Sequence, residues 1–243
     1  MEIKISCWLL MPKTNALYGS GGFGREVMPL LKNLYPNDRN IFVVHKEFMP
    51  EQSSINSTEI ISFEDFLDIP NHEKTISITI ADSIKRSALS KEIDSHKITR
   101  KTIISKNSLI MDNIEISDGA IICPFVTLTS NISIGENFHA NLYSYVAHDC
   151  IVGNNVTFAP SVKCNGNVII EDNVYIGTGA IIKQGKPDKP LIIGKNAIIS
   201  AGSYVTKNVD ESTTVFGNPA QKLSKDSLKK WIISKVKQHL SMK

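Results

Sequence analysis

The sequence predicts a truncated, Rossmann-like α/β domain, then a left-handed parallel β-helix, then a short C-terminal helix. Three observations carry this reading. A glycine-rich turn joins an apolar strand to a helical segment between residues 14 and 35, a six-residue period runs through the middle of the chain, and a lysine-rich amphipathic stretch closes it. The implied boundaries are 1–97 for the α/β domain, 98–218 for the β-helix, and 219–243 for a closing motif and helix.

The first element is "TNALYGSGGFGREVMPLLKNLY", residues 14 to 35, which reads as strand, glycine loop and helix. Gly19, Gly21 and Gly24 satisfy G-x-G-x-x-G, and with Gly22 they are the substrate-binding candidates. Backbone amides at the start of the helix suit a phosphate. A dinucleotide fold would place an acidic residue at the end of the second strand, to hold a ribose. Here that strand is "NIFVVHK", which ends at His45, and this argues against NAD. The loop then cradles a phosphate or a nucleotide-linked sugar, or it is a structural tight turn. "EIISFEDFLDI" and "KTISITIADSIKRSALSKEI" continue the β/α alternation to about residue 97, whereas the first dozen residues fit no standard unit.

From Ile104 the chain divides into hexads without a slip to Ile181. The first position is Ile, Leu, Val or Phe in all but two units, where Ala140 and Cys164 stand in, and the fifth is always small or apolar. The frame breaks at "KQGKPDKPLI", five residues too long, and resumes as IGKNAI, ISAGSY, VTKNVD. A period of six fits neither a helix nor an alternating strand. It fits a coil of three short strands with two inward side chains per hexad, each coil stacked on the last at about 4.8 Å. Cys150 and Cys164 fall on inward positions as small core residues.

His148 is the third residue of its hexad and points outward near a corner, with Asp149 beside it. Eighteen residues on, Gly166 lies one coil above, and eighteen more reach Gln184 at the start of the break. The lysine-bearing "GKPDKP" therefore overhangs the His148 column. A neutral imidazole is a suitable base at neutral pH, and a glycine N–H one coil away can face developing negative charge. His45, His72, His96, His139 and His239 read as ordinary surface or core residues. Outward Phe125, Tyr143 and Tyr145, with few charges between 104 and 181, suggest packing against copies of the chain, most simply a trimer with His148 in the cleft between subunits.

The closing "LSKDSLKKWIISKVKQHLSMK" places Leu228, Trp231, Ile232 and Leu240 along one stripe. It docks on the end of the solenoid or lies at a membrane surface. The net charge of +3 is too small to argue for nucleic acid, no apolar run is long enough for a membrane span, and "MEIKISCWLLMPK" is too short and ill-flanked for a secretory signal. The four cysteines form no CxxC pair and indicate no metal site, so a cytoplasmic protein with reduced thiols is expected.

The glycine loop "YGSGGFGREV", the solenoid with "HDCIVG" and the closing "FGNPAQKL" together resemble the bacterial sugar O- and N-acyltransferases, which include sialic acid O-acetyltransferases and nucleotide-aminosugar N-acetyltransferases. The resemblance covers roughly residues 14 to 223. It implies a homotrimer binding acetyl-CoA along the groove between neighbouring solenoids, without a metal. It implies His148 as general base, Asp149 as its orienting carboxylate, and Gly166 as the N–H donor to the thioester carbonyl. Asn141 matches an acceptor-site residue, Thr178 and Ala201 match positions along the pantetheine arm, and Pro219 and Ala220 fall near the nucleotide end of the cofactor. Departures also appear: Phe23 stands where relatives often carry histidine, and the acidic residues that commonly follow the second strand are absent. The implied activity is acetyl transfer to the amino group of a nucleotide-linked amino sugar. O-acetylation of a sialic acid or polysaccharide unit, and a non-catalytic binding scaffold, are the alternatives.

Overall fold

The computed structural model describes residues 13–223, so the amphipathic segment with Leu228, Trp231, Ile232 and Leu240 lies outside the described residues. The chain divides into two compact units. Among the described residues, one runs from Lys13 through Ser105 and takes in Asp118–Ile121; the other holds Lys106–Ser117 and Ile122 to Leu223.

The first unit alternates strands and helices: β1 Thr14–Tyr18, α1 Gly22–Leu34, β2 Arg39–Val44, β3 Ser54–Ile55, β4 Thr58–Ser62, α2 Phe63–Leu67, β5 Lys74–Ile78 and α3 Ser83–Ser95. The sheet order is β3-β4-β2-β1-β5, parallel throughout except for the β3–β4 pair. β1 is buried along its whole length, as a central strand covered on both faces must be. Ile41, Val43, Ile76 and Ile78 pack with Phe63, Phe66 and Ile93 to form this unit's core.

The second unit is a coil of parallel strands. Leu109, Thr127, Tyr145, Lys163 and Ile181 stand in register, each eighteen residues from the next. His139, Thr157 and Tyr175 do the same on a second wall, and Ile151 pairs with Ile169 on a third. The long strand Thr127–Ile134 bends to serve two walls at once. First and fifth hexad positions turn inward: Val146, Cys150, Val152, Val156, Phe158, Val162, Cys164 and Val168 are all buried. Phe138 and Phe158 meet edge to face inside, with centroids 5.1 Å apart.

Strand-to-strand corners fall on the fourth position, which repeatedly takes a left-handed conformation. Asn113, Asn131, Asn137, Asp149, Asn155, Asn167 and Asn173 all have φ between 52° and 59° there. Short polar side chains tolerate this geometry, which explains the abundance of Asn at that position. Phe125 (φ 63°) and Tyr143 (φ 60°) are bulky exceptions, one coil apart, with rings stacked 5.0 Å apart at 9°. Both are exposed.

The break in the repeat is an excursion that leaves the register intact. Ile181 pairs with Tyr204 and Val168 with Leu191, twenty-three residues apart in each case. Gly185 N–H donates to the Gly166 carbonyl at 2.9 Å, so the excursion does leave above Gly166. The last coil is shorter than the repeat: Ile198 pairs with Thr214, only sixteen residues on.

Candidate active site

His148 follows the strand Tyr145–Val146 and is half exposed, as its third hexad position requires. Its Nδ1 lies 2.7 Å from Asp149 Oδ2. A carboxylate only accepts, so Nδ1 carries a proton, and in the neutral ring the lone pair is on Nε2. The hydrogen bond from His148, followed by one from Asn131, holds the Asp149 carboxyl below the usual carboxylate range. The ring packs against Gly166. A Cβ at that position would sit 2.5 Å from His148 Cε1 and Nε2, so only glycine leaves room for the imidazole. The Gly166 carbonyl accepts from Gly185, while its own N–H has no partner among the described residues. A lone pair on Nε2 and an unpaired N–H one coil above are the two elements that acyl transfer needs.

A groove of about 370 Å³ runs down the corner below Asp149, lined by Asn113, Glu115, Asn131, Ser133 and Ile151. Above, a basic cavity of about 560 Å³ is lined by Lys183, Lys186, Lys189 and Lys207, around the five-residue excursion. Val205 lies opposite Ile182, so Lys207 continues the column His148, Gly166, Gln184.

The remaining solenoid candidates lie elsewhere in the coil. Asn141 follows the strand His139–Ala140, and so occupies a different corner from His148. Its amide is buried and donates to the Phe158 carbonyl at 3.0 Å, which closes the turn. Thr178 and Ala201 stack on that same corner, and the Thr178 carbonyl accepts from Gly202. Ala220 is tied to the end of the coil by its N–H to the Tyr204 carbonyl, next to Pro219. Within a single chain these residues are not brought to the imidazole.

In the first unit a cavity of about 660 Å³ opens at the C-terminal ends of the strands, lined among others by Gly19, Ser20, Gly21, His45, Asp82 and Glu92. Gly19 has φ 112°, and Gly21 caps α1 with no side-chain hydrogen bond and no acidic residue in the first turn, which leaves amides for an anion. Around Gly21 and Gly22 a side chain would meet open space, whereas at Gly24 it would run into the Gly19 carbonyl. Gly24 is therefore a packing residue between loop and helix, not a ligand-facing one. Two features here escaped the sequence reading. Glu92 from α3 lies 3.3 Å from His45 Nε2, so a carboxylate reaches this cavity from a helix where the β2 end supplies none. Arg86 is fully buried and donates to the Ile80 and Ala81 carbonyls at 2.6 and 3.2 Å, while burial pushes its guanidinium down to about 9. Burial likewise pushes the Tyr18 phenol up to about 12.

Comparison with known proteins places this equipment among acyl-group transferases. The model described as the hexapeptide repeat of succinyl-transferase matches residues 167–207. GDP-perosamine N-acetyltransferase of Escherichia coli O157:H7 is 44% identical over 211 residues, 86% of this chain and 96% of its own. The solved structure of WeeI from Acinetobacter baumannii AYE is 47% identical with a TM-score of 0.83, covering 87% of this chain and all 100% of that one. PerB from Caulobacter crescentus, in complex with CoA and GDP-perosamine, shares the fold at a TM-score of 0.77 and 18% identity, over 87% of this chain and 97% of its own. The chain belongs to the bacterial sugar acyltransferases built on the hexapeptide repeat.

Proposed function

We propose that the protein transfers an acetyl group from acetyl-CoA to the amino group of a nucleotide-linked amino sugar, with His148 as general base. A GDP-linked 4-amino sugar of the perosamine type is the first candidate acceptor, because the Escherichia coli relative bears that name and is matched over 96% of its length. The observation that carries the chemistry is the His148–Asp149 pair at 2.7 Å beneath the unpaired N–H of Gly166.

The sugar amine attacks the thioester carbonyl carbon while His148 Nε2 takes a proton from the nitrogen. The carbonyl oxygen gains negative charge, and the Gly166 N–H is the donor offered to it. Collapse forms the amide and breaks the C–S bond, and the proton on Nε2 passes to the departing CoA sulfur. Asp149 keeps Nδ1 protonated throughout, so the base always presents the same nitrogen. No acyl-enzyme is required: the nearest thiol, Cys150, is buried in the coil. The α1 amides and the Gly19–Gly21 loop of the first unit, by themselves, suit a nucleotide phosphate.

A trimer fits the separation of the site residues. His148 and Gly166 stack on one corner and Thr178 and Ala201 on another, and a cleft between neighbouring subunits would bring one column of each kind to the same cofactor.

Thiol release from acetyl-CoA, measured over GDP-, UDP- and dTDP-linked 4-amino sugars beside free and CMP-linked sialic acid, tests the reading. Turnover is expected with an amino sugar, and His148→Ala is expected to reduce kcat by at least about 10²-fold without unfolding the coil. Turnover with sialic acid alone moves the enzyme to O-acetylation, and a His148→Ala variant with near-normal kcat removes the base from this residue.

A further inference from the structure

The corner that carries Asp149 is the end of a hydrogen-bonded ladder. Asn113 Nδ2 donates to Asn131 Oδ1 at 2.9 Å, and Asn131 Nδ2 donates to Asp149 Oδ1 at 3.1 Å. The other carboxylate oxygen, Oδ2, meets His148 Nδ1 at 2.7 Å. We propose that Asn131 is a positioning residue for the His148 base, oriented in turn by Asn113, so that two coils of the solenoid below the site set which imidazole nitrogen is free. The inference rests on the reading of His148 as base.

Direction is what gives the ladder its effect. An amide presents an acceptor at one end and donors at the other, and Asn113 occupies the acceptor of Asn131. Only the NH2 of Asn131 is left for the coil above, and it takes one oxygen of Asp149. The carboxylate is exposed and has no partners among the described residues besides Asn131 and His148. Without the amide it is tethered by the imidazole alone, and its side-chain rotation is unopposed.

The same corner device occurs with no carboxylate as a rung. Asn137 donates to Asn155 at 3.1 Å, and Asn173 to Asn196 at 3.1 Å. Such ladders are thus general supports of the corners. On the catalytic corner the run of Asn113, Asn131 and Asn167, all left-handed, is interrupted at 149 by an aspartate of the same conformation (φ 59°). A corner that satisfies itself with asparagine carries a carboxylate only beside the imidazole. The other titratable groups around the pair are Glu115, which lines the same groove, and the buried thiol of Cys150.

Asn131→Gly deletes the amide and keeps the left-handed backbone. The full chain, labelled with 15N in the imidazole rings, gives the His148 tautomer by NMR without any assay of turnover. The wild type is expected to hold its proton on Nδ1 when neutral, and Asn131→Gly to populate both tautomers. Kinetically, kcat should fall about tenfold with the KM for acetyl-CoA unchanged, the size of effect typical of a residue that orients another. Asn131→Asp faces one carboxylate with a second. It favours the imidazolium and should move the acidic limb of the rate profile to higher pH. Asn137→Gly is the control: it should lower the melting temperature and leave tautomer and pH profile unchanged. An Asn131→Gly protein with the wild-type tautomer and kcat within twofold overturns the proposal, as does an acidic limb unmoved by Asn131→Asp. If instead His148→Ala keeps its rate, the base assignment fails, while the tautomer measurement still judges the ladder.

Discussion

At the residue scale, the site is defined by what fits around one imidazole. Gly166 is needed because of contact: a methyl group there would lie 2.5 Å from two ring atoms of His148. Gly166→Ala should therefore push the ring off its seat and lower kcat by about 10²-fold, since small displacements of a catalytic group cost that much. The His148 side chain is half exposed and free to move aside, so circular dichroism melting should change little. An unchanged kcat would mean that the ring works from another position. Asp149, with its carboxyl held below the usual range by His148 and Asn131, keeps its charge as pH falls through mildly acidic values. Its contribution to stability is present above the ordinary carboxylate pKa and fades only as pH drops through the lowered folded value. Acid inactivation that begins nearer neutrality therefore starts at another group.

At the scale of elements, the two units solve different problems. In the solenoid, coil after coil repeats the inward pair and most corners repeat the left-handed conformation, so outward positions are free to carry chemistry. In the α/β unit, the turn from β5 into α3 forms part of the cavity wall through Ile80 and Asp82, and Arg86 ties it down from within by two hydrogen bonds to backbone carbonyls. With its pKa near 9, Arg86 stays charged at neutral pH. Arg86→Met leaves those carbonyls without that donor and should cost roughly 2–3 kcal/mol in denaturant unfolding. It should also raise the KM for the nucleotide sugar while leaving that for acetyl-CoA near normal. Equal changes in both would show that the turn does not serve the acceptor.

At the scale of the whole molecule, the proposed trimer predicts a site shared between copies. Thr178→Trp and His148→Ala should each be inactive alone. Mixed by joint refolding, they should regain a fraction of wild-type turnover, because some clefts then pair an intact His148 with an intact Thr178. Light scattering on the same samples should give three times the chain mass. A monomeric, fully active enzyme would refute the shared site.

Much of this was legible because a solenoid is nearly one-dimensional. Eighteen-residue arithmetic alone put Gly166 above His148, turned Cys150 and Cys164 inward, and located the five-residue excursion. The sequence by itself determined the periodicity, the outward histidine with its carboxylate, and the glycine turn, since each is a matter of local spacing. The tertiary structure decided which neighbours those residues meet. It made Gly24 a packing residue, buried the Asn141 amide in its own turn, brought Glu92 to His45 from a distant helix, shortened the last coil to sixteen residues, and aligned Asn113, Asn131 and Asp149 into one ladder. Period and register are properties of the chain. The direction of a hydrogen bond, the burial of an amide and the reach of a helix side chain depend on atoms far apart in sequence, and only packing sets them.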